Sequence, residues 1–121
     1  MDAEAVRFML IRDWAEVENT PLQERQPVRL ERWHHRARCL ASATGRSPLA
    51  VEQELQGSAR RVAAERRREL ETELARDLAT MRALGQEPTP PWHRRLRALA
   101  EVIGVAPESL RSDVEAAAGA I

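Results

Sequence analysis

The sequence predicts an all-α protein built from an internally duplicated helical unit. Ala, Leu, Arg and Glu, which all favour helices, dominate the 121 residues. No window alternates apolar and polar residues with a period of two, so no sheet is predicted. A segment that begins Trp-His at Trp33 recurs at Trp92. We therefore expect two helical repeats, residues 1–59 and 60–121, which together form one domain.

The repeat aligns residues 33–59 with residues 92–118 without a gap. Nine of the 27 positions are identical, including the Trp-His pair, two arginines, a glycine and a proline. A shorter match upstream pairs residues 10–15 with residues 74–79, in the same order along the chain. Both matches together indicate duplication of a whole unit of about 60 residues.

Capping residues predict where each helix begins and ends. Asp2 can cap the first helix, and a proline at the first position of a helix is tolerated because its missing N–H needs no partner there. Gly45 and Gly104 favour helix ends. The predicted helices run from residue 2 to 18, 27 to 44, 48 to 84, 90 to 103, and from 107 into the tail. The third is expected either as one long central helix or as two helices broken near residues 57–58.

Apolar periodicity predicts the buried side of each helix. In the first helix the expected face consists of Phe8, Ile11, Trp14 and Ala15. In the second repeat the residues expected to fill the core are Leu99, Ile103, Val105, Leu110 and Val114. The first repeat has the same motif pattern in Leu40, Ala41, Gly45, Val51 and Leu55. The stripe Leu70, Leu74, Leu78 and Met81 supports the later part of the long helix.

Each repeat contains a helix, a glycine turn and a second helix. Residues 99–114 read LAEVIGVAPESLRSDV and resemble the helix-turn-helix of DeoR-type bacterial regulators, and residues 40–55 repeat the pattern. The resemblance implies two tandem helix-turn-helix segments, in which the second helix of each pair would enter a DNA major groove. The β-ribbon wing that follows this motif in the family has no counterpart here.

The charge distribution favours a different contact surface. The second helix of each pair carries a net charge of −2, which a phosphate-lined groove would repel. Positive charge lies mainly on the preceding Trp-His-Arg helices and on the long helix. The residues predicted to contact a nucleic-acid backbone are Arg32, Arg36, Arg38, Arg60, Arg61, Arg94, Arg95 and Arg97. The alternative is that these arginines only form a solvated surface paired with neighbouring glutamates.

The aromatic and histidine residues of the repeat have two interpretations. Trp33 and Trp92 are expected to anchor the two cores, and stacking on a base or filling a pocket of a partner is the alternative. His34 and His93 are expected to pack or hydrogen-bond beside them, with partner contact again the alternative.

No catalytic or metal centre is predicted. His35 and Cys39 have the spacing of two metal ligands on a helix, but zinc normally needs three or four. No phosphate-binding glycine loop or pairing of nucleophile and base is visible. We therefore expect a non-enzymatic protein without a cofactor or a metal.

Composition bounds the function without identifying it. All 19 basic residues are arginine, and an equal number of acidic residues brings the formal net charge to zero. Bulk electrostatics therefore does not attract nucleic acid. One cysteine, no signal peptide and no long apolar stretch predict a cytoplasmic protein without a membrane partner. We expect either a nucleic-acid-associated protein or an adaptor that binds a protein partner, as a monomer or a homodimer.

Overall fold

Five α-helices and one short 3₁₀ helix make up the computed structural model, which describes residues 2–121. The helices are α1 (Ala3–Glu18), α2 (Pro27–Thr44), α3 (Pro48–Ala83), α4 (Pro90–Ile103) and α5 (Pro107–Gly119), and the 3₁₀ helix is Leu22–Glu24. No strand occurs within these residues. The predicted all-α fold is therefore confirmed, and residues 48–83 form one helix of 36 residues rather than two.

The capping residues predicted from the sequence lie at the helix ends and form the expected hydrogen bonds. The carboxylate of Asp2 accepts hydrogen bonds from the N–H groups of Glu4 and Ala5, and the hydroxyl of Thr89 accepts one from the N–H of Trp92. α2, α4 and α5 each begin with a proline in the first turn. These caps satisfy N–H groups that have no partner inside the helix, and they explain why the predicted starts agree with the structure.

Two glycines end the helices that carry the tryptophans. Gly45 and Gly104 follow α2 and α4 with φ of 66° and 85°, in the left-handed region where a side chain is strained. The N–H of the residue after each glycine donates back to an alanine carbonyl five residues earlier, Ala41 or Ala100. This closing bond is the Schellman arrangement, which reverses the chain into the next helix.

The chain divides into two compact units, Met1–Glu65 and Arg66–Ile121, and α3 contributes residues to both. This division reflects which residues contact one another in the folded chain. The boundary at residue 59, which was inferred from the repeat, stays a prediction.

The core of unit 1 is formed by α1, α2 and the first part of α3. Trp33 is 3% exposed and lies among residues from all three helices. The other buried members of this cluster are Leu10, Ala37, Leu40, Ala41, Val51 and Leu55. A second contact, between Ala15 on α1 and Ala59 and Ala63 on α3, uses side chains small enough for the two helices to approach closely.

The core of unit 2 is formed by the later part of α3 with α4 and α5. Trp92 is 1% exposed and is among the largest fully buried side chains described. Its cluster also contains Leu74, Ala75, Leu78, Met81, Leu96, Leu99, Ala100, Leu110, Val114 and Ala118. The predicted stripe on the long helix therefore lies on its buried side, although Leu70 is only partly covered.

Three residues that were expected in the core are exposed. Phe8 is 61% exposed, and its ring lies 5.7 Å from the guanidinium carbon of Arg12. Phe8 precedes the buried Leu10 by two residues, and that spacing places it on the opposite side of α1. Ile103 and Val105 flank the Gly104 turn, where both are more than a third exposed because the chain reverses at the surface. The expectation for these three side chains is wrong.

We predict that removing either buried indole destabilises its unit strongly. Trp33→Ala or Trp92→Ala should lower the free energy of unfolding by about 3–5 kcal/mol, because each substitution leaves a large cavity. Urea denaturation followed by far-UV circular dichroism measures the loss. Val28→Ala, at a largely exposed position of α2, is the control and should change stability by less than about 0.5 kcal/mol. Equal, small effects at all three positions would contradict the packing.

We also predict opposite effects of alanine at two glycines. Gly104→Ala should destabilise by about 1–2 kcal/mol, because alanine is strained at a positive φ. Gly57→Ala should stabilise by about 0.5–1 kcal/mol, because Gly57 lies inside α3 and a Cβ there meets no atom within 4 Å. Shifts of the same sign in thermal denaturation midpoints would contradict this.

Candidate nucleic-acid interface

The two tryptophans of the repeat occupy similar hydrogen-bonded positions. The indole N–H of Trp33 donates to the carbonyl of Leu10 at 2.8 Å, and that of Trp92 donates to the carbonyl of Leu74 at 3.0 Å. Each indole is buried and satisfied, so neither ring is available to stack on a base. The structure therefore supports a core role for both residues, and it gives the stacking alternative no basis.

His34 and His93 lie with their rings edge-on to the tryptophan before them, at centroid distances of 5.2 Å in both units. His34 also lies 5.8 Å from the ring of Trp14, and its Nδ1 is 3.2 Å from a carboxylate oxygen of Glu52. Both histidines are half-buried. These contacts fit the packing and hydrogen-bonding role that was expected for them.

The sequence pattern WHxRxR occurs at residues 33–38 and 92–97, and the arginines within each of these segments do not share one helix face. Residues two positions apart on a helix differ in direction by about 200°. Arg95 forms an ion pair of 2.9 Å with Asp77 on α3, whereas Arg97 lines a cavity of about 190 Å³ with Pro107 and Glu108 of α5. The four arginines that the sequence groups together, residues 36, 38, 95 and 97, therefore form no common surface within either unit.

Arg36 and Arg38 diverge in the same way on α2. Arg36 lines a cavity beside Asp13 of α1, whereas the side chain of Arg38 donates to the carbonyl of His34 at 3.3 Å. The remaining predicted contacts also differ. Arg60 lies 3.7 Å from Glu18, Arg61 donates to the hydroxyl of Ser58, and Arg94 is exposed near the start of α4.

One set of basic side chains does share a face. Arg29, Arg32 and Arg36 lie on α2 at positions i, i+3 and i+7, and they line the same cavity of about 290 Å³. We call these three residues the arginine face. Arg29 forms an ion pair of 2.6 Å with Glu16, whereas neither Arg32 nor Arg36 forms an ion pair with a carboxylate in residues 2–121. Two of the three guanidinium groups on this face thus have no carboxylate partner in the part of the chain that the structure describes.

The cavity has five other lining residues, and only Trp33 among them was a predicted site residue. The remaining four are Asp13, Val17, Gln26 and Val28. The sequence alone could have placed Arg29 beside Arg32 and Arg36, because residues at positions i, i+3 and i+7 lie on one face of a helix. Asp13 gave no such signal, because the sequence matches pair it with Asp77 and pair Arg36 with Arg95 but do not place either carboxylate beside an arginine.

Several other arginines are engaged with carboxylates. Glu54, on the helix that follows the first turn, accepts from Arg7 at 2.7 Å and lies 2.8 Å from Arg46. Hydrogen bonds from Arg7 and then from Arg46 lower the pKa of Glu54 below its usual value of 4.5. This network neutralises part of the negative charge near the start of α3.

The described residues offer no metal cluster. Sγ of Cys39 lies 3.7 Å from Nε2 of His35, but no group of three His, Cys, Asp or Glu side chains in residues 2–121 could hold an ion. Within the same range, no helix combines the length and the apolar character that crossing a membrane requires.

Comparison with known protein families, with curated proteins and with solved structures finds no match to this chain.

We predict that the Glu54 network makes a pH-dependent contribution to stability. The folded state lowers the pKa of Glu54, so its stabilising effect is present above pH 4.5 and is lost as the pH falls through the lowered pKa. Carboxyl ¹³C titration of the folded protein should give a pKa below 4.5, and Arg7→Ala or Arg46→Ala should raise it towards that value. Arg111→Ala, which removes a partner of Glu115 instead, should leave the Glu54 titration unchanged. A pKa at or above 4.5 in the parent protein would contradict the network.

Proposed function

We propose that this chain is a small, non-catalytic nucleic-acid-associated protein that contacts phosphate groups through the arginine face of α2. One observation carries the proposal: three guanidinium groups line one cavity, and two of them have no carboxylate partner in residues 2–121. A guanidinium presents a rigid fork of N–H donors that matches the oxygens of a phosphate.

The equal numbers of arginines and acidic residues limit the electrostatic attraction between the protein and a nucleic acid. Unit 1 contains ten arginines and ten acidic residues, and unit 2 contains nine of each, so each unit is formally neutral. Long-range attraction to a polyanion is therefore weak, and binding depends on the local arginine face. Few phosphates are neutralised, so the affinity should fall with salt along a shallow slope.

The proposal excludes base reading by the second helix of each helix-turn-helix segment. The first eight residues of α3 and the whole of α5 each carry a net charge of −2. Repulsion from phosphates would oppose their entry into a major groove. We propose instead that the DeoR-like pattern serves a structural role, in which the glycine turn and second helix hold the Trp-His-Arg helix in place.

We further propose that the two units arose by duplication of one helical unit. The seven buried positions within residues 33–59, each shifted by 59, are the seven buried positions within residues 92–118. Both indoles donate to leucine carbonyls that the shorter sequence match also pairs. Both glycine turns have a positive φ. The two matched segments are thus alike in burial and in hydrogen bonding as well as in sequence, which supports the proposed duplication.

We also propose a reducing, cytoplasmic location, because the only cysteine, Cys39, is exposed and free.

A binding assay across a salt series tests the main proposal. We expect the protein to bind a fluorescent nucleic acid with 5′-hydroxyl ends in about 50 mM salt and to lose affinity towards 200 mM. Two or three phosphate contacts give a slope of log K against log salt of about −2 to −3 on duplex DNA. Duplex DNA, single strands and RNA should be compared, because the arginine face contacts the backbone rather than the bases.

The matched variants are Arg32→Ala/Arg36→Ala and Arg68→Ala/Arg76→Ala. Each removes two exposed arginines, but only the first pair belongs to the arginine face. The first variant should bind about tenfold more weakly or worse, and the second should bind nearly as the parent does. Absence of binding at low salt, or equal losses in both variants, would overturn the proposal and favour the protein-adaptor interpretation.

A further inference from the structure

The cavity beside the arginine face combines two features that favour a small anionic ligand. Arg29, Arg32 and Arg36 supply guanidinium groups, and the largely exposed Val28 supplies apolar surface. The cavity extends along α2 from the cap residue Gln26 to Arg36, about two and a half turns into the helix.

In unit 2, the residues that correspond to Asp13 and Arg36 form an ion pair. Asp77 and Arg95 form an ion pair of 2.9 Å on the surface of unit 2. The sequence matches place Asp13 and Arg36 at the equivalent positions of unit 1, where both line the cavity without forming an ion pair. The guanidinium of Arg36 is therefore available for a ligand, whereas that of Arg95 is occupied.

We propose that the cavity of unit 1 is a binding site for a phosphate monoester that carries a small organic group, such as the phosphorylated 5′ end of a strand or a free 5′-mononucleotide. The inference rests on the arginine face invoked in the proposed function and assigns to it a preferred ligand. The phosphate contacts Arg32 and Arg36, and the organic group covers Val28.

Charge and shape favour a monoester over an internal phosphodiester. A monoester carries a charge of about −1.5 to −2 near neutral pH and has three terminal oxygens. Two guanidinium groups without carboxylate partners match that charge. A volume of about 290 Å³ is near the lower end for ligand pockets, so it accommodates a terminal group better than a continuous strand.

The carboxylate of Asp13 disfavours an anion in the cavity, so its removal should change the affinity in a predictable direction. This carboxylate lines the same cavity, so it repels a bound phosphate. Neutralising Asp13 should therefore strengthen binding, an effect that a loss of packing would not produce. Asp77→Asn is the matched control, since it removes the equivalent carboxylate from unit 2.

Isothermal titration with adenosine 5′-monophosphate and with inorganic phosphate tests the site in the full chain. Arg32→Ala and Arg36→Ala should each weaken binding of the nucleotide about tenfold or more, and Asp13→Asn should tighten it severalfold. Arg94→Ala and Asp77→Asn should leave the affinity unchanged. Circular dichroism checks that every variant keeps the parent helix content. Absence of nucleotide binding, or weaker binding after Asp13→Asn, would overturn the inference.

Oligonucleotides that differ only in a 5′-phosphate or a 5′-hydroxyl distinguish the sources of the monoester. Tighter binding of the phosphorylated strand than of the free nucleotide identifies a strand end, and the reverse order identifies a small nucleotide. Equal binding of both oligonucleotides, with no nucleotide binding, overturns the inference while the proposed function stands. Binding of the nucleotide without binding of 5′-hydroxyl polymers overturns the proposed function instead.

Discussion

Each core depends on a tryptophan that must bury both a large apolar ring and a polar N–H. Covering an indole removes about 150–250 Å² from water, which contributes about 4–6 kcal/mol, but its N–H must then find an acceptor. The carbonyls of Leu10 and Leu74 satisfy that need from the neighbouring helices α1 and α3. The hydrogen bond fixes how the Trp-bearing helix is rotated, and so decides which of its other side chains face outward.

That rotation explains why the arginines that follow Trp33 and Trp92 lie on different sides of their helices. With Trp33 directed into the core, Arg36 lies on the side of α2 that borders α1, and Arg38 points away from it. Unit 2 repeats this division, with Arg95 at α3 and Arg97 beside α5. The positive charge of the two segments is therefore distributed around each helix. Only on α2, where Arg29 and Arg32 precede Arg36 at helical spacing, does it accumulate on one face.

The helix bounds could be predicted because local signals decide them. Asp2, Thr89, Gly45 and Gly104 act on backbone groups within a few residues of themselves, and no tertiary contact overrides them. Phe8 could not be placed from periodicity alone, because an apolar residue at the edge of a stripe is buried only if another helix covers it. Asp13 became relevant only once α1 and α2 were packed together, since the cavity uses residues from both helices.

The burial of Trp92 also has a spectroscopic consequence. It is the only tryptophan in unit 2, and the chain contains no tyrosine. Its emission therefore belongs to one core alone, whereas Trp14 and Trp33, with ring centroids 4.5 Å apart, share the signal of the other. Replacing the two tryptophans of unit 1 with phenylalanine leaves a chain whose intrinsic fluorescence follows unit 2 without an added label.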